Sequence, residues 1–488
     1  MTESKDGKPG VTFFIPNSRW FGKLPRLSVP HGIAILVALL DSHCRLSLVD
    51  GNGADLDEAT CCRRLRETRP DLVLMSAITA VEYTPQVHRG LALAREGCPE
   101  AVIILGGVYP TVSPGEALRD PNVDFIFLGH AEERILPFLE RVLARDWEAL
   151  RRLPGIGFRD QATGEPVINP VASFIGEVSR LVRPDYSLMD LEPYLREEIF
   201  VGNTSSRSPV PIAPILTSYG CPYNCSFCAT RTISGRAVAF RPLEDVFAEI
   251  DDYVREYRVG GILFQDDNLF LKRERVERLC DEFIGGRWGD LPWKVGGAAL
   301  WLMDAALIER MSRAGCRKLR VSVESGSPRV LREIIHKPVN LEKIPGIVRK
   351  CREVGILVRA QFVIGFPGET WEELRETFRF AESCDFDLVH FTIATPLPGT
   401  ELYGKARESG ALGEDFSFAE TAYQGWGQAF LNTGEFTARE LMILRAFEWD
   451  RINFKTPEKT ALIARMYNMT VAQLNDHRRV TRQRIGVV

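Results

Sequence analysis

Cys221-Pro222-Tyr223-Asn224-Cys225-Ser226-Phe227-Cys228 is the stretch on which the reading of this chain turns. Three thiols fall within eight residues, directly after Ile212–Ser218, an apolar run expected to form a strand. Cysteine thiolates are the usual ligands of iron–sulfur clusters. Three of them on a four-iron cluster leave one iron without a protein bond, an open position of the kind that separates catalytic from structural zinc sites. A structural zinc would want a fourth Cys or His at similar spacing, and the nearest downstream are Cys280 and His336. Three packed thiols are the alternative, since free Cys behaves as a small hydrophobe. The loop residues Pro222, Tyr223 and Asn224 disfavour it.

Outward from this motif the chain alternates strands and helices. Strands are expected at Ile212–Ser218, Gly261–Gln265, Lys294–Ala299, Leu319–Val323, Leu357–Ile364 and Leu388–Thr395. Helical patterns separate them at Leu243–Tyr257, Lys272–Phe283, Ala305–Arg313, Pro328–Ile335, Leu341–Val354 and Trp371–Cys384. Such a rhythm suggests a partial barrel, with its chemistry at the C-terminal strand ends. Beyond it, Thr437–Phe454 and Pro457–Met466 read as amphipathic helices, with Thr437 and Thr456 as N-caps. The terminal arginines, Arg478, Arg479, Arg482 and Arg484, read as a solvated helix end.

The first ~145 residues have the same alternation. Val11–Ile15, Leu46–Val49, Leu72–Ser76, Val102–Leu105 and Phe125–Leu128 are strand-like, with helical patterns at Gly32–Leu40, Glu58–Glu67 and Pro85–Glu96. This argues for a parallel sheet. The turns Asp50-Gly51, Gly106-Gly107 and Gly129 lie at strand ends, where ligands of open α/β sheets bind, although Gly also simply permits tight turns. Phe158–Gly164 followed by Pro166–Ile168 reads as a strand, a turn and a short return strand within a connector.

Composition limits the function classes. The 488 residues are 45% apolar and 26% charged, so the chain is globular rather than disordered. A net charge of -4 gives no electrostatic case for nucleic-acid or membrane binding. The polar N-terminus has no signal-peptide pattern, and no apolar run is long enough to span a bilayer, so a cytoplasmic protein is expected. Eleven cysteines in a reducing compartment then point to metal binding rather than to disulfides.

The Cys motif, with Phe227 just before its third thiol, resembles the radical S-adenosylmethionine (SAM) superfamily over residues 210–410. That resemblance implies a partial (β/α)6 barrel with a 4Fe–4S cluster held by Cys221, Cys225 and Cys228. The open iron binds SAM, and reductive cleavage gives a 5′-deoxyadenosyl radical that takes hydrogen from the substrate. Runs at successive strand ends agree with it. In Gln265-Asp266-Asp267-Asn268, Asp266 or Asp267 would face the SAM ammonium group, helix capping being the alternative. In Glu324-Ser325-Gly326, Glu324 would accept ribose hydroxyls, with Ser325 beside it. Gly365-Phe366-Pro367-Gly368-Glu369 resembles the adenine-side region, and Pro396-Leu397-Pro398-Gly399-Thr400 follows the last strand.

The N-terminal domain resembles the cobalamin-binding branch of that superfamily, with Gly106 and Gly107 as its cofactor contacts. Cobalamin held over the cluster would supply a methyl group. The chain departs from the branch in three ways. It lacks a DxHxxG motif, it has Tyr109 where His is common, and it has His130 where Glu is common. A domain that keeps the fold without cobalamin is therefore the alternative.

The fold class implied is α/β. Residues 1–150 would form a Rossmann-like cobalamin domain, 151–205 a connector, 206–415 the barrel and 416–488 a helical C-terminal region. The layout is similar to cobalamin-dependent C-methylases of antibiotic biosynthesis, and also to radical diol dehydratases that act on aminoglycoside sugars without cobalamin. Methylation, dehydration or epimerisation of a small molecule, and a non-catalytic corrinoid or metal carrier, are the readings left open. A flavodoxin, a ferredoxin or a dedicated reductase would supply electrons; nucleic acid and membrane are not expected partners. Trp301, Tyr423 and Trp426 are candidate cavity residues. His390 is expected to be a satisfied core histidine, and Cys316 and Cys384 to be packing residues rather than hydrogen-atom donors.

Overall fold

The strand–helix alternation forms two separate sheets, one parallel over its first five strands and one parallel throughout. The computed structural model describes residues 8–22, 27–77, 84–160, 162–171, 181–196, 198–201, 204–414, 416 and 428–484. Its contacts divide into one unit of Met1–Tyr194 with Thr232–Ala239 and another of Leu195–Arg231 with Phe240–Val488. Tyr423 and Trp426 lie outside the described residues.

In the first unit the strands are β1 (Gly10–Ile15), β2 (Arg45–Asp50), β3 (Leu72–Ala77), β4 (Val102–Gly107), β5 (Phe125–Phe127), β6 (Ile156–Arg159) and β7 (Pro166–Ile168). They form one seven-stranded sheet in the order β2-β1-β3-β4-β5-β6-β7. The first five are parallel, and every residue of β1 is buried, as a central strand covered on both faces requires. Helices α1 (His31–Leu40), α2 (Glu58–Thr68) and α3 (Thr84–Gly97) connect them. The order 2-1-3-4-5 is flavodoxin-like, with its topological switch point between β1 and β3. The turn read within the connector does return on itself, and β6 and β7 add to the sheet antiparallel beyond β5.

In the second unit β8 (Ala213–Ile215), β9 (Ile262–Phe264), β10 (Trp293–Ala298), β11 (Cys316–Glu324), β12 (Leu357–Ile364) and β13 (Leu388–Ile393) make an all-parallel sheet in sequential order. It is an open partial barrel; β8 and β13 are its two edges. Helices α4 (Leu243–Tyr257), α5 (Arg273–Ile284), α6 (Ala305–Arg313), α7 (Ile344–Glu353) and α8 (Trp371–Ser383) connect the strands. Asp304 caps α6, and Thr370 with Glu373 forms a capping box on α8. The stretch expected as an ordinary helix before α7 instead winds as a π-helix over Val330–Ile335.

Helices α9 (Glu401–Glu408), α10 (Ala438–Asn453), α11 (Pro457–Met466) and α12 (Val471–Arg484) complete the unit, with Thr437 and Thr456 capping as expected. They also seal the sheet. The fully buried Asn453 accepts from Val389 N at 2.8 Å and donates to Val389 O at 2.8 Å, satisfying the edge strand β13 with a side-chain amide. The basic tail is not simply solvated: Arg478 and Arg482 pair with Asp450 at 2.6 and 3.2 Å, tying α12 to α10.

Candidate functional site

Of the eleven cysteines, Cys221, Cys225 and Cys228 are partly exposed, and the other eight are buried. The three accessible thiols are those of the motif, and no packing role accounts for them. They occupy a loop beyond β8 that is pinned at several points. Ser226 N donates to Ile335 O at 3.0 Å, and Ser226 O accepts from Leu402 N at 2.8 Å. The wide π-turn ends at that Ile335 carbonyl and so presents it to the loop. Phe227 lies against Phe366, with ring centroids 5.9 Å apart, in a core that includes Val330, Leu331 and Leu402. The aromatic residue before the third Cys therefore anchors the loop to the barrel.

The two aspartates at the end of β9 have separate duties. Asp266 is buried, and its Oδ1 accepts from Thr217 N, Thr217 Oγ1 and Ser218 Oγ at 3.0, 2.7 and 2.6 Å. Burial nevertheless raises its pKa. Asp267 is exposed; its Oδ2 accepts from Gly220 N at 3.0 Å and its Oδ1 from Thr230 Oγ1 at 3.4 Å. It thereby clasps the two ends of the Cys loop. The capping role in this run belongs to Asn268, which accepts from Phe270 N.

Glu324 ends β11 in the left-handed region, at φ +72°. Non-glycine residues hold that conformation only where the surroundings impose it, often at functional sites. Its carboxylate is buried and pairs with Lys337 Nζ at 2.6 Å, and Lys337 also donates to Ser322 O at 2.8 Å. Both charges act on the Cys225 thiol: burial pushes it up to about 12, Lys337 pulls it down and Glu324 pushes it up. Lys337 lies 5.3 Å from the Trp301 ring, whose Nε1 donates to Tyr223 Oη at 3.2 Å. Trp301 therefore borders the Cys loop.

Ser325 is turned into the fold, beside Thr377 Oγ1 at 3.1 Å and accepting from Ser327 N at 3.1 Å. Gly365 has φ +88°, a conformation that L side chains rarely adopt, and a Cβ there would also press on Leu441 Cδ1 at 2.5 Å. His390 is buried 2.8 Å from Tyr467 Oη and is kept neutral by burial and by neighbouring cations. Cys316 and Cys384 are buried packing residues. Lys337, Thr217 and Ser218 are absent from the sequence reading; no motif marks them.

In the first unit, Gly106 and Gly107 close β4. Gly107 has φ +97°, and a Cβ there would meet Ala77 O at 2.8 Å. Thr111 donates to Gly107 O at 2.7 Å and accepts from Gly129 N at 2.9 Å, joining the ends of β4 and β5. Tyr109 points away from that edge. It is fully buried, with its hydroxyl 2.9 Å from His88 Nε2, and His88 Nδ1 is 2.7 Å from Asp120. His130 Nε2 lies 2.9 Å from Ser234 Oγ.

The donor types fit an iron–sulfur cluster, since three partly exposed cysteines sit in one loop, and burial keeps Cys221 and Cys225 as thiols that iron binding would deprotonate. Residues 215–381 match the model of the radical SAM superfamily, and residues 22–137 match the B12 binding domain. The chain is 28% identical to a cytidylyl-2-hydroxyethylphosphonate methyltransferase of Streptomyces wedmorensis, over 89% of each chain. It is 28% identical to an uncharacterized methyltransferase of Pyrococcus horikoshii, over 77% of each. Its fold is similar to a radical SAM methyltransferase, TsrM, from Kitasatospora setae, with TM-score 0.67, 19% identity and coverage of 83% of this chain and 77% of that one. The radical SAM domain implies a 4Fe–4S cluster and SAM, and the B12-binding domain implies cobalamin. The chain thus carries a B12 binding domain on its first sheet, over residues 22–137, and a radical SAM domain on its second, over residues 215–381.

Proposed function

We propose that the chain is a cobalamin-dependent radical SAM C-methyltransferase acting on a small-molecule, natural-product substrate. The observation that carries this reading is that three partly exposed cysteines lie in one loop within the radical SAM match, with the buried Glu324–Lys337 pair acting on Cys225. When bound, the cluster with SAM supplies a 5′-deoxyadenosyl radical, and cobalamin supplies the methyl group.

The chain's own residues divide the remaining work. Cys221, Cys225 and Cys228 would hold the cluster, and Lys337 would offset part of the charge that their thiolates bring. Glu324 offers carboxylate oxygens to ribose hydroxyls, and its ion pair with Lys337 fixes their direction. Asp267 keeps the Cys loop closed, while Asp266 fixes Thr217 and Ser218 where the loop begins. Ser325 and Gly365 shape the SAM side of the strand ends by packing. Gly106 and Gly107 allow the end of β4 to approach cobalamin closely. The domain division is that of residues 1–150, 151–205, 206–415 and 416–488, and a flavodoxin or ferredoxin is the electron donor.

Anaerobic reconstitution with iron and sulfide tests the reading. The parent chain should gain cluster absorbance and Cys225→Ala should not. Cobalamin should co-purify stoichiometrically, and mass spectrometry of turnovers should show a gain of one CH2 with 5′-deoxyadenosine. Loss of water without cobalamin would replace methylation by dehydration. No cluster in either protein would end the radical reading.

A further inference from the structure

A polar relay braces the turn that follows β4. His88 on α3 sits between two partners: its Nδ1 is 2.7 Å from Asp120 Oδ2, and its Nε2 is 2.9 Å from the Tyr109 hydroxyl. Tyr109 is fully buried and Asp120 is buried, whereas the His88 side chain is 32% exposed. Burial pushes Asp120 up, but hydrogen bonds from His88 and Asn122 more than offset it and hold the carboxyl below its ordinary range. The carboxylate at Nδ1 assigns the ring proton to that nitrogen, which leaves Nε2 to accept from the Tyr109 hydroxyl. Burial keeps that hydroxyl protonated and so able to donate.

Three segments of the first unit meet in this relay: α3, the loop that leads into β5, and the single helical turn Val108–Val112. That turn carries the polar atoms of the β4 end. Tyr109 O accepts from Ser113 N at 2.9 Å, Thr111 Oγ1 donates to Gly107 O at 2.7 Å, and Gly129 N donates to Thr111 Oγ1 at 2.9 Å. Holding the Tyr109 ring from inside the unit therefore fixes the pose of all of them. A phenylalanine would fill the same space. The hydroxyl adds direction, because a buried polar group that loses its partner is costly. The two glycines at the head of the turn differ. Gly107 has φ +97° and Ala77 O 2.8 Å from the place of a Cβ, so the backbone itself requires glycine. At Gly106, among the described residues, nothing beyond its chain neighbours lies closer than 3.9 Å to the place of a Cβ. Local packing does not explain glycine there. Close approach of a ligand does, at the strand-end edge where open parallel sheets bind.

We propose that His88 is a positioning residue for cobalamin: with Asp120 behind it and Tyr109 ahead of it, it holds the Gly106–Thr111 turn in the pose that receives the cofactor. This rests on the reading above that Gly106 and Gly107 are cobalamin contacts. His88 acts through Tyr109, whose ring points away from the strand-end edge. Apparent affinity falls in proportion to the fraction of molecules whose site is in the competent pose. Releasing the relay lowers that fraction, so cobalamin binding weakens although no contact to the cofactor is removed. Tyr109 is also where the chain departs from the His common in the cobalamin branch. The relay gives that departure a partner, since the buried hydroxyl needs an acceptor and His88 supplies one.

Equilibrium dialysis of the cobalamin-free full chain against aquacobalamin tests it, with amide exchange on the same preparations as a second readout. Tyr109→Phe and His88→Phe should each weaken binding roughly tenfold, the scale of one buried hydrogen bond, and should hasten exchange at the Ser113 and Gly129 amides. His88→Gln, whose amide oxygen can accept from Tyr109, should restore most of the affinity. Leu93→Ala opens a cavity at a buried position of α3 outside the relay. It should lower the melting temperature and leave affinity near that of the parent. Gly106→Ala should fold normally and lose affinity. The proposal is overturned if folded Tyr109→Phe and His88→Phe bind as the parent does. It is also overturned if Leu93→Ala weakens binding as much as they do, or if His88→Gln binds no better than His88→Phe. The two readings fail separately. A parent chain that takes up no cobalamin overturns the cobalamin assignment of the turn, and the positioning role with it. A parent that binds cobalamin and a Gly106→Ala that does not, with parent-like binding by Tyr109→Phe, overturn the positioning role alone.

Discussion

Replacing Glu369 by Gln should remove a pH-dependent weakness from the barrel unit. Glu369 is completely buried in the loop after β12, and its Oε2 accepts from Gly365 N at 2.7 Å and Phe366 N at 3.0 Å. Its Oε1 has no hydrogen-bond partner among the described residues. Burial raises its pKa from 4.5 to about 8, with the two backbone donors and Arg329 pulling it down and Glu373 pushing it up. The folded unit therefore keeps a proton on Glu369 that the unfolded chain releases above about pH 4.5. Its stabilising contribution is complete below that pH and is lost as pH rises through about 8. From about pH 6 to 8 the loss is about 3 kcal/mol, at roughly 1.4 kcal/mol per pH unit. In a unit of this size, that is a fall in melting temperature of ~4–5 °C. A neutral amide can accept the same two hydrogen bonds and has no proton to lose. Differential scanning calorimetry of parent and Glu369→Gln across about pH 6–9 should show their melting temperatures diverging up to pH ~8 and then running parallel, with the variant higher. A gap that stays constant over that range would show that Glu369 is already ionised at about pH 6 and would refute the reasoning.

Three further outcomes are expected. Asn453→Ala strips both backbone groups of Val389 of their partner and should cost about 2–4 kcal/mol, read as a lower melting temperature and faster amide exchange at Val389. Gly365→Ala combines a positive φ with a Cβ 2.5 Å from Leu441 Cδ1, and should cost roughly 2 kcal/mol, part of which Leu441→Ala restores in a double-mutant cycle. Lys337→Met leaves the buried Glu324 without its cation and should cost about 3–5 kcal/mol, while Lys337→Arg should hold iron content near that of the parent.

The strands and helices were legible because their apolar periods match their geometry. Leu357–Ile364 and Ala305–Arg313 occupy the spans their patterns predict. The π-helix at Val330–Ile335 escaped notice because its apolar spacing also suits an ordinary helix. The three cysteines proposed as cluster ligands stand out by their spacing, whereas Lys337 does not, because its contact with Glu324 is one that no local rule encodes. Asp267 and Gly365 stand where the motifs put them, yet the contacts around them are those of loop closure and helix packing.

The unequal exposure of the cysteines also gives the protein an internal gauge. A brief pulse of an organomercurial, which takes protonated thiols as well as thiolates, can reach Cys221, Cys225 and Cys228 on the native chain, while the eight buried thiols are shielded. Intact-mass counting of adducts would then read out cluster occupancy molecule by molecule: three adducts mark an empty loop and none marks a filled one. Any adduct beyond the third reports that one of the two units has opened, which separates loss of iron from loss of fold in a single spectrum.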